Sequence, residues 1–595
     1  MQEPKSQETP CEEQAENVPS TESKKQFSRR GFLKAAATSA AVAGGTGLIG
    51  SLPLAAESKA SVAGSEPEGA RPIPPVHAPA KWDDEADVVV VGTGGGGLAA
   101  ALKAAENGKK VIVIEKLSEE SVGGTTKQAI VFITYGGSRL QNEAKFAVPG
   151  FPFNATKAVQ EMYPYFQYSA DISMLEAVYG AMGPCVDWME QLGVPWELDP
   201  YTGPMCHVWK GIDKEGFIAR GIKPVTDLMY RVAKEKGVKF YLETAAVALV
   251  SEGGRIVGLK TRSLTTGKTR YLKGATGVVL AAGGFANNRD MLKKYLPAVY
   301  EGAGCTYAMP CDTGECIRMG VGAGADIAGL GSSTSFDAGI DWFSDGKGTF
   351  HQYLYNGSTQ LARQPWLGID INGNRYPYLD VYPAKQHNPW DLMPNQAAVH
   401  MSLPGHRGYV IFDKHYEENI AKFKQWGCRR PIQPNWPDID RMPEWTAAHD
   451  WREGAKYAIE KGAIKRSNTL EGLGEMLGFK PGVIGKSVAS WNEVCASGED
   501  KQFYFPKDWL VPVLEPPFHG IRIGGNVFAT KCGLRVTPKM QVVDTNQKVI
   551  PGLYAAFHTA GGNVGESALS SEPNCVGMTF TSGFIAGQAV CEEKA

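Results

Sequence analysis

The stretch Asp87–Thr126 reads DVVVVGTGGGGLAAALKAAENGKKVIVIEKLSEESVGGTT, and the rest of the chain is organised around it. The apolar run Val88–Val91 suits a strand buried on both faces. Gly92, Gly94 and Gly97 follow at G-x-G-x-x-G spacing, and Leu98–Ala105 gives an Ala/Leu helix closed by Asn107-Gly108. A second apolar run, Val111–Ile114, ends at the acid Glu115. Strand, glycine turn, helix, strand and acid in that order make one dinucleotide-binding βαβ unit. Gly92 permits the tight turn, Gly94 lets backbone approach a pyrophosphate, and Gly97 brings helix close to strand. Glu115 is placed to accept from ribose hydroxyls, and the helix N-terminus offers N–H groups to the phosphates. Gly123-Gly124-Thr125-Thr126 adds a second glycine turn, which a plain NAD domain does not need. A further backbone segment running along the pyrophosphate and ribityl does need it, so the cofactor expected is FAD.

The 595 residues are 43% hydrophobic and 21% charged, a globular composition with length for two or three domains. A net charge of -2 gives no electrostatic footprint for nucleic acid. Residues 1–63 read as a disordered polar tail followed by an export signal. Ser28-Arg29-Arg30-Gly31-Phe32-Leu33-Lys34 precedes a mild Ala/Gly/Leu stretch and resembles a twin-arginine signal, with cleavage near Ala56 or Ala63. Gly44, Gly45, Gly47 and Gly50 interrupt the stretch and argue against a permanent anchor. Residues 64–81 form a Pro/Gly-rich linker. No C-x-x-C-H occurs, so no c-type haem is expected on the chain. Cys305, Cys311 and Cys316 cluster, but at no recognised ligand spacing; buried thiols are expected over an iron–sulfur cluster, and no metal site is predicted.

Further along, Asn154–Gly193 reads as helical and Val225–Lys236 as another helix. Val238–Leu242 and Ala246–Val250 read as strands. GVVLAAGGFAN at Gly277–Asn287 is a buried strand entering a Gly-Gly turn, suited to re-entering the nucleotide-binding sheet. Asp312-Thr313-Gly314-Glu315-Cys316 precedes a short helix. From Phe336 the composition turns aromatic, with Trp342, Phe343, Phe350, Tyr353, Tyr355, Trp366, Tyr376, Tyr378, Tyr382 and Trp390. Such a segment suits a cap over a large, flat, apolar ligand, or else supplies the cap's own core. Val549–Ala556 then reads as a turn into a buried strand. Asn574-Cys575-Val576-Gly577 opens a small-residue helix whose N-terminus could face the N1–O2 edge of a flavin. The fold class expected is α/β: a Rossmann-like FAD-binding domain of the glutathione-reductase type, in two parts (82–335 and 516–595), with an inserted α+β capping domain at 336–515.

Taken together, VVVVGTGGGGLAAA, Glu115-Lys116, GGTT, VVLAAGGFANN, SWNEVCASGEDKQF, PPF at Pro516–Phe518 and VIPGLYAAFHTAGG resemble the FAD-dependent fumarate reductase, urocanate reductase and 3-ketosteroid dehydrogenase superfamily. The likeness runs from Glu85 to Ala589. It implies flavin contacts at Gly92, Gly94, Gly95, Gly96, Gly97, Glu115, Lys116, Gly123, Gly124, Thr125, Thr126, the backbone near Ala246, Ala282, Gly283, Cys575 and Val576. Two positions depart from the pattern. The superfamily's Thr-Gly-Asp-Gly is Thr313-Gly314-Glu315-Cys316 here, which keeps an acid at Glu315. Its Ala-Ala-Gly-Glu is Ala555-Ala556-Phe557-His558, with His558 beside the ribityl; a neutral His can still hydrogen-bond there. No Cys or His occupies a recognised flavin attachment position, so non-covalent FAD is expected.

Substrate residues separate the branches. The His-Thr-x-Gly-Gly of fumarate reductases is Ala529-Thr530-Lys531-Cys532-Gly533 here, and their late arginine falls on Ser570. Arg363 remains as one cationic contact, and with most of that set missing a dicarboxylate would bury unpaired charge. Asp380 and Tyr382 resemble the ketosteroid-acting pattern, which implies proton exchange or carbonyl polarisation by Tyr382, with Ser570 or Ser571 as relay or carbonyl donor. The expected reaction is hydride exchange between flavin N5 and the β carbon of a double bond conjugated to a carbonyl in a bulky apolar substrate. Reduction is preferred to dehydrogenation, on export and on the habit of the superfamily. The electrons would then come from an external cytochrome or flavin-bearing, membrane-linked partner. An acrylate-type reductase would instead need a carboxylate clamp from Arg363 with Arg375 or Arg407. A flavin relay without turnover is a third reading, against which the aromatic cap argues.

Overall fold

The computed structural model describes residues 66–129, 132–134, 137–144, 154–166, 168–199, 203–211, 222–306, 308–309, 311–331, 333–334, 338–341, 361, 364–376, 396–422, 451–527, 529–562, 569–570 and 575–593. The first strand, β1 (Asp84–Val91), is four residues longer than its apolar run, because Leu272–Gly274 continues the ladder alongside Asp84–Ala86. It turns into helix α1 (Gly95–Glu106) and returns as β2 (Val111–Ile114). Val88, Val89 and Val90 are fully buried, as are Leu98 and Leu102 on the helix.

The sheet grows with β3 (Lys239–Tyr241), β4 (Thr244–Glu252), β5 (Arg255–Ser263) and β6 (Thr269–Leu280). β6, β1, β2 and β3 run parallel in that order, and β4 and β5 extend the sheet as an antiparallel meander. The β4–β5 turn uses Gly253 and Gly254, both at positive φ, where L side chains are strained. The sequence reads one helix across Asn154–Gly193, but two form, Ala155–Tyr165 and Ile172–Gln191. Tyr168 sits between them at φ 59°, and the Asp171 carboxylate starts the second by accepting from the Ser173 and Met174 N–H groups. Helix α2 (Glu315–Gly322) follows at its expected place.

A second, six-stranded sheet is built on one long strand. β7 (Gly408–Phe412) and Ile464–Ser467 pair with β8 (Phe518–Val527), as do Ala303–Thr306 and Ala338–Ile340. This sheet does not keep to 336–515, since two of its strands lie outside that range. Trp366 and Tyr376, expected as cap aromatics, are both buried in its core. Trp366 stacks on Phe412 at 4.9 Å, and the Tyr376 hydroxyl lies 3.1 Å from His400 Nε2. For these two rings the core reading holds. The other eight aromatics lie outside the described residues.

The chain then returns to the first sheet. β9 (Val549–Ala555) pairs parallel with β6, and helix α3 (Cys575–Glu592) packs on α1. The two helices meet through glycine. A Cβ on Gly583 would lie 2.1 Å from the Gly96 carbonyl oxygen, and one on Gly587 2.5 Å from that of Ala100. The parallel strands β9, β6, β1, β2 and β3 therefore end along one edge, where open α/β sheets bind ligands.

Candidate functional site

That edge gathers most of the predicted residues. Gly92 follows β1 at φ 102°, and its Cβ would fall 2.4 Å from the Ala281 carbonyl oxygen. A Cβ on Gly97 would fall 2.0 Å from the Gly92 carbonyl oxygen. These two glycines close the strand–helix turn. Gly94 and Gly124 differ: added Cβ atoms there meet nothing nearer than Thr126 Oγ1 at 3.7 Å and Gly94 Cα at 3.8 Å. A Cβ at either position would make only ordinary van der Waals contact. Gly94 and Gly123 form a parallel bridge, Gly95 N donates to Thr126 Oγ1 at 3.1 Å, and Met309 N donates to Thr125 Oγ1 at 3.1 Å. The second glycine turn thus lies against the start of α1, which has no acid in its first turn.

Glu115 is held ready. Its carboxylate accepts from Thr93 N at 2.9 Å, Thr93 Oγ1 at 2.7 Å and Leu117 N at 3.0 Å. Ala246 lies on β4, whose first residue donates from Thr244 N to the Glu115 carbonyl. Lys116 Nζ donates to Thr313 Oγ1 at 2.9 Å and pairs with Glu315 at 3.1 Å. Burial acts to raise the Glu315 carboxyl, but the Lys116 charge and the Thr313 hydroxyl outweigh it and hold it below the usual range. Glu315 is therefore Lys116's partner.

The other loops close the site. Ala281 N donates to the Val91 carbonyl, Ala556 N to that of Leu280, and Thr559 Oγ1 to that of Gly283 at 2.9 Å. Phe557 N donates to Ser582 Oγ on α3. Ala282, Gly283, His558, Cys575 and Val576 accordingly share one neighbourhood with α1. The His558 imidazole is held neutral: burial, with the Lys531 charge adding to it, brings it down to about 3. Its Nε2 is buried and meets no hydrogen-bond partner among the described residues. Ser570 lies in the strand Leu569–Ser570, paired with Ser333–Thr334. Tyr382 and Arg363 lie outside the described residues. The sequence reading missed Thr93, Thr313, Thr559 and Asp312. Thr93 could have been found as the residue between Gly92 and Gly94.

Asp312 is buried beneath Gly283, and burial pushes its carboxyl up from an ordinary value near 3.8 to about 7. The folded chain then holds one extra proton between about pH 4 and pH 7, so Asp312 makes stability fall as pH rises through that window. Asp312→Asn is expected to flatten this fall. Melting temperatures of apoprotein and variant across pH 4 to 8 check it, and equal slopes would refute it.

Arg375 and Arg407, the two alternative partners of Arg363 in the carboxylate-clamp reading, are already engaged. Arg375 pairs with Asp500 at 2.7 Å, and its guanidinium lies 4.6 Å from the Trp491 ring centroid. Arg407 Nε donates to Asp341 Oδ2 at 2.6 Å, and Arg522 Nε reaches the same oxygen at 2.9 Å. Arg407 also donates from Nη1 to the carbonyls of Glu301 and His406 and from Nη2 to that of Ala303. Among the described residues, no group of three or more His, Cys, Asp or Glu side chains could hold a metal. No described helix is long and apolar enough to cross a membrane.

Residues 87–570 match the family model described as "FAD binding domain". The chain belongs to that FAD-binding family. Vinyl phenol reductase of Lactiplantibacillus plantarum is 28% identical over 476 residues, 76% of this chain and 88% of that protein. Urocanate reductase of Eggerthella lenta is 28% identical over 501 residues, 83% of this chain and 73% of that protein. The open conformation of a flavocytochrome c3 fumarate reductase superposes with a TM-score of 0.60 at 20% identity, covering 86% of this chain and 79% of that one, a likeness of fold. The chain is an FAD-dependent oxidoreductase. Its residues fit FAD: uncrowded glycines at Gly94 and Gly124, an acid-free helix N-terminus, a preset Glu115 and a buried His558 nitrogen with no partner among the described residues.

Proposed function

We propose that this oxidoreductase reduces a carbon–carbon double bond conjugated to a carbonyl or an aromatic ring, in a bulky, neutral, largely apolar substrate. An enone of the 3-ketosteroid kind is the first candidate. The observation that carries the neutral preference is the engagement of Arg375 and Arg407 by the buried carboxylates Asp500 and Asp341. A substrate carboxylate would have to compete with both. The vinyl phenol reductase likeness is in keeping with a neutral substrate.

Bound FAD, held non-covalently, supplies the hydride. Gly94 and the start of α1 take the pyrophosphate, Glu115 the ribose, and the Gly283, His558 and Cys575 loops the flavin end. Tyr382 gives the proton to the α carbon. Ser570 or Ser571 would donate to the substrate carbonyl and stabilise charge that develops there. The first sheet is the cofactor-binding part and the second belongs to the cap. Export by the twin-arginine route, and electrons from a membrane-linked cytochrome or flavoprotein, complete the reading.

Tyr382→Phe tests it. Reoxidation of the reduced protein by an enone is expected to slow about 100-fold or more with FAD content unchanged. An unaltered rate would remove Tyr382 from the role. Acid precipitation that carries the yellow colour down would refute non-covalent FAD.

A further inference from the structure

Lys531 is among the largest fully buried side chains, a position lysine rarely takes unless its charge is paired. It occupies the turn between Ala529–Thr530 and Gly533–Leu534. Contacts tie that turn to the cofactor edge from several sides. Phe285 N donates to Thr530 Oγ1 at 3.1 Å, just beyond the Gly283 loop. Leu534 N donates to the Thr559 carbonyl, next to His558, and Gly562 N to the Lys531 carbonyl. Thr559 in turn donates to Gly283. Lys531 therefore sits behind the loops that end β6 and β9, with His558 inside the reach of its charge. His558 itself stays neutral and leaves a buried nitrogen without a partner among the described residues, which suits a ligand atom. The mechanism above uses neither the lysine nor its charge.

We propose that Lys531 is a positioning residue for the bound flavin: its buried charge, carried on the turn behind the Gly283 and His558 loops, favours reduced over oxidised FAD and so sets how strongly the site draws electrons from its donor. Reduction adds electron density to the ring system, and a fixed positive charge in a low-dielectric setting favours that state. Substituting it by a neutral residue should therefore change the reduction equilibrium. This inference rests on FAD binding, not on the substrate proposed above, and its test needs no acceptor.

The experiment is an anaerobic titration of the FAD-loaded protein, with electrons supplied by reduced methyl viologen and protons by the buffer, against a reference dye. Lys531→Met is expected to shift the reduced-to-oxidised equilibrium at least tenfold towards oxidised FAD, about 30 mV for a two-electron couple. Lys531→Arg, which keeps the charge, should stay within about threefold of the parent. A shift below about twofold in Lys531→Met with FAD retained would overturn the proposal, because a purely structural lysine moves the melting temperature and not the potential. If Lys531→Met sheds FAD, Lys531→Gln serves as the second neutral variant. Loss of FAD from both neutral variants but not from Lys531→Arg supports the role of charge. Loss from all three overturns it.

Discussion

Gly97→Ala will cost the protein its FAD and on the order of 3 kcal/mol of stability. The new Cβ would stand 2.0 Å from the Gly92 carbonyl oxygen and 2.9 Å from its carbonyl carbon. Both are backbone atoms at the buried end of β1, so no flexible side chain can move aside. Either α1 lifts off β1 or the Gly92 turn opens, and each displaces the N–H groups proposed to take the pyrophosphate. Gly94→Ala separates the two effects. Gly94 has φ -62°, which alanine accepts, and its Cβ would meet only Thr126 Oγ1 at 3.7 Å. The apoprotein should keep its stability within about 0.5 kcal/mol, while FAD, whose space the methyl enters, is lost. FAD per chain from absorbance, with melting of the apoproteins, reads both. Normal FAD content in Gly94→Ala would mean that the uncrowded glycine serves something else.

Asp341→Ala should destabilise the fold by about 3–5 kcal/mol, the scale for breaking one side of a buried ion pair. Asp341 is 2% exposed and accepts from both Arg407 and Arg522. Its loss leaves two guanidiniums at the root of β8, where the second sheet is assembled. Urea unfolding measures this. The same ion pair bears on specificity: if Arg407 is held by Asp341, then Arg407→Met should lose stability without changing which acceptors reoxidise the protein. A specific loss of carboxylate acceptors in Arg407→Met would return that arginine to the substrate.

The nucleotide half was legible because its chemistry fixes residue type at fixed spacing. Only glycine passes at 92 and 97, and an acid must follow the second strand, so β1, α1, β2 and Glu115 could be read directly. The β6 and β9 strands were legible as unbroken apolar runs entering glycine or small-residue turns. The second sheet was not, since its central strand pairs Ala303–Thr306 with Phe518–Val527 across more than 200 residues, and no local pattern records that. The break at Tyr168 was hidden because a tyrosine at positive φ carries no turn signal. Lys531 was overlooked for a similar reason: lysine reads as surface, and only packing shows it buried. The engagement of Arg375 and Arg407 likewise depends on Asp500 and Asp341, distant in sequence. The residues that would hold the reacting atoms, Tyr382 above all, rest on the resemblance alone.

The most direct measurement is anaerobic reoxidation. The FAD-loaded protein is reduced with dithionite, excess reductant is removed, and a ketosteroid enone, a vinyl phenol, an aryl acrylate, urocanate and fumarate are added separately while the oxidised flavin band is followed. Rapid return of the band with a neutral conjugated acceptor, and slow return with urocanate and fumarate, is the predicted result. Rapid return with the carboxylates and none with the neutral compounds would contradict the proposed function.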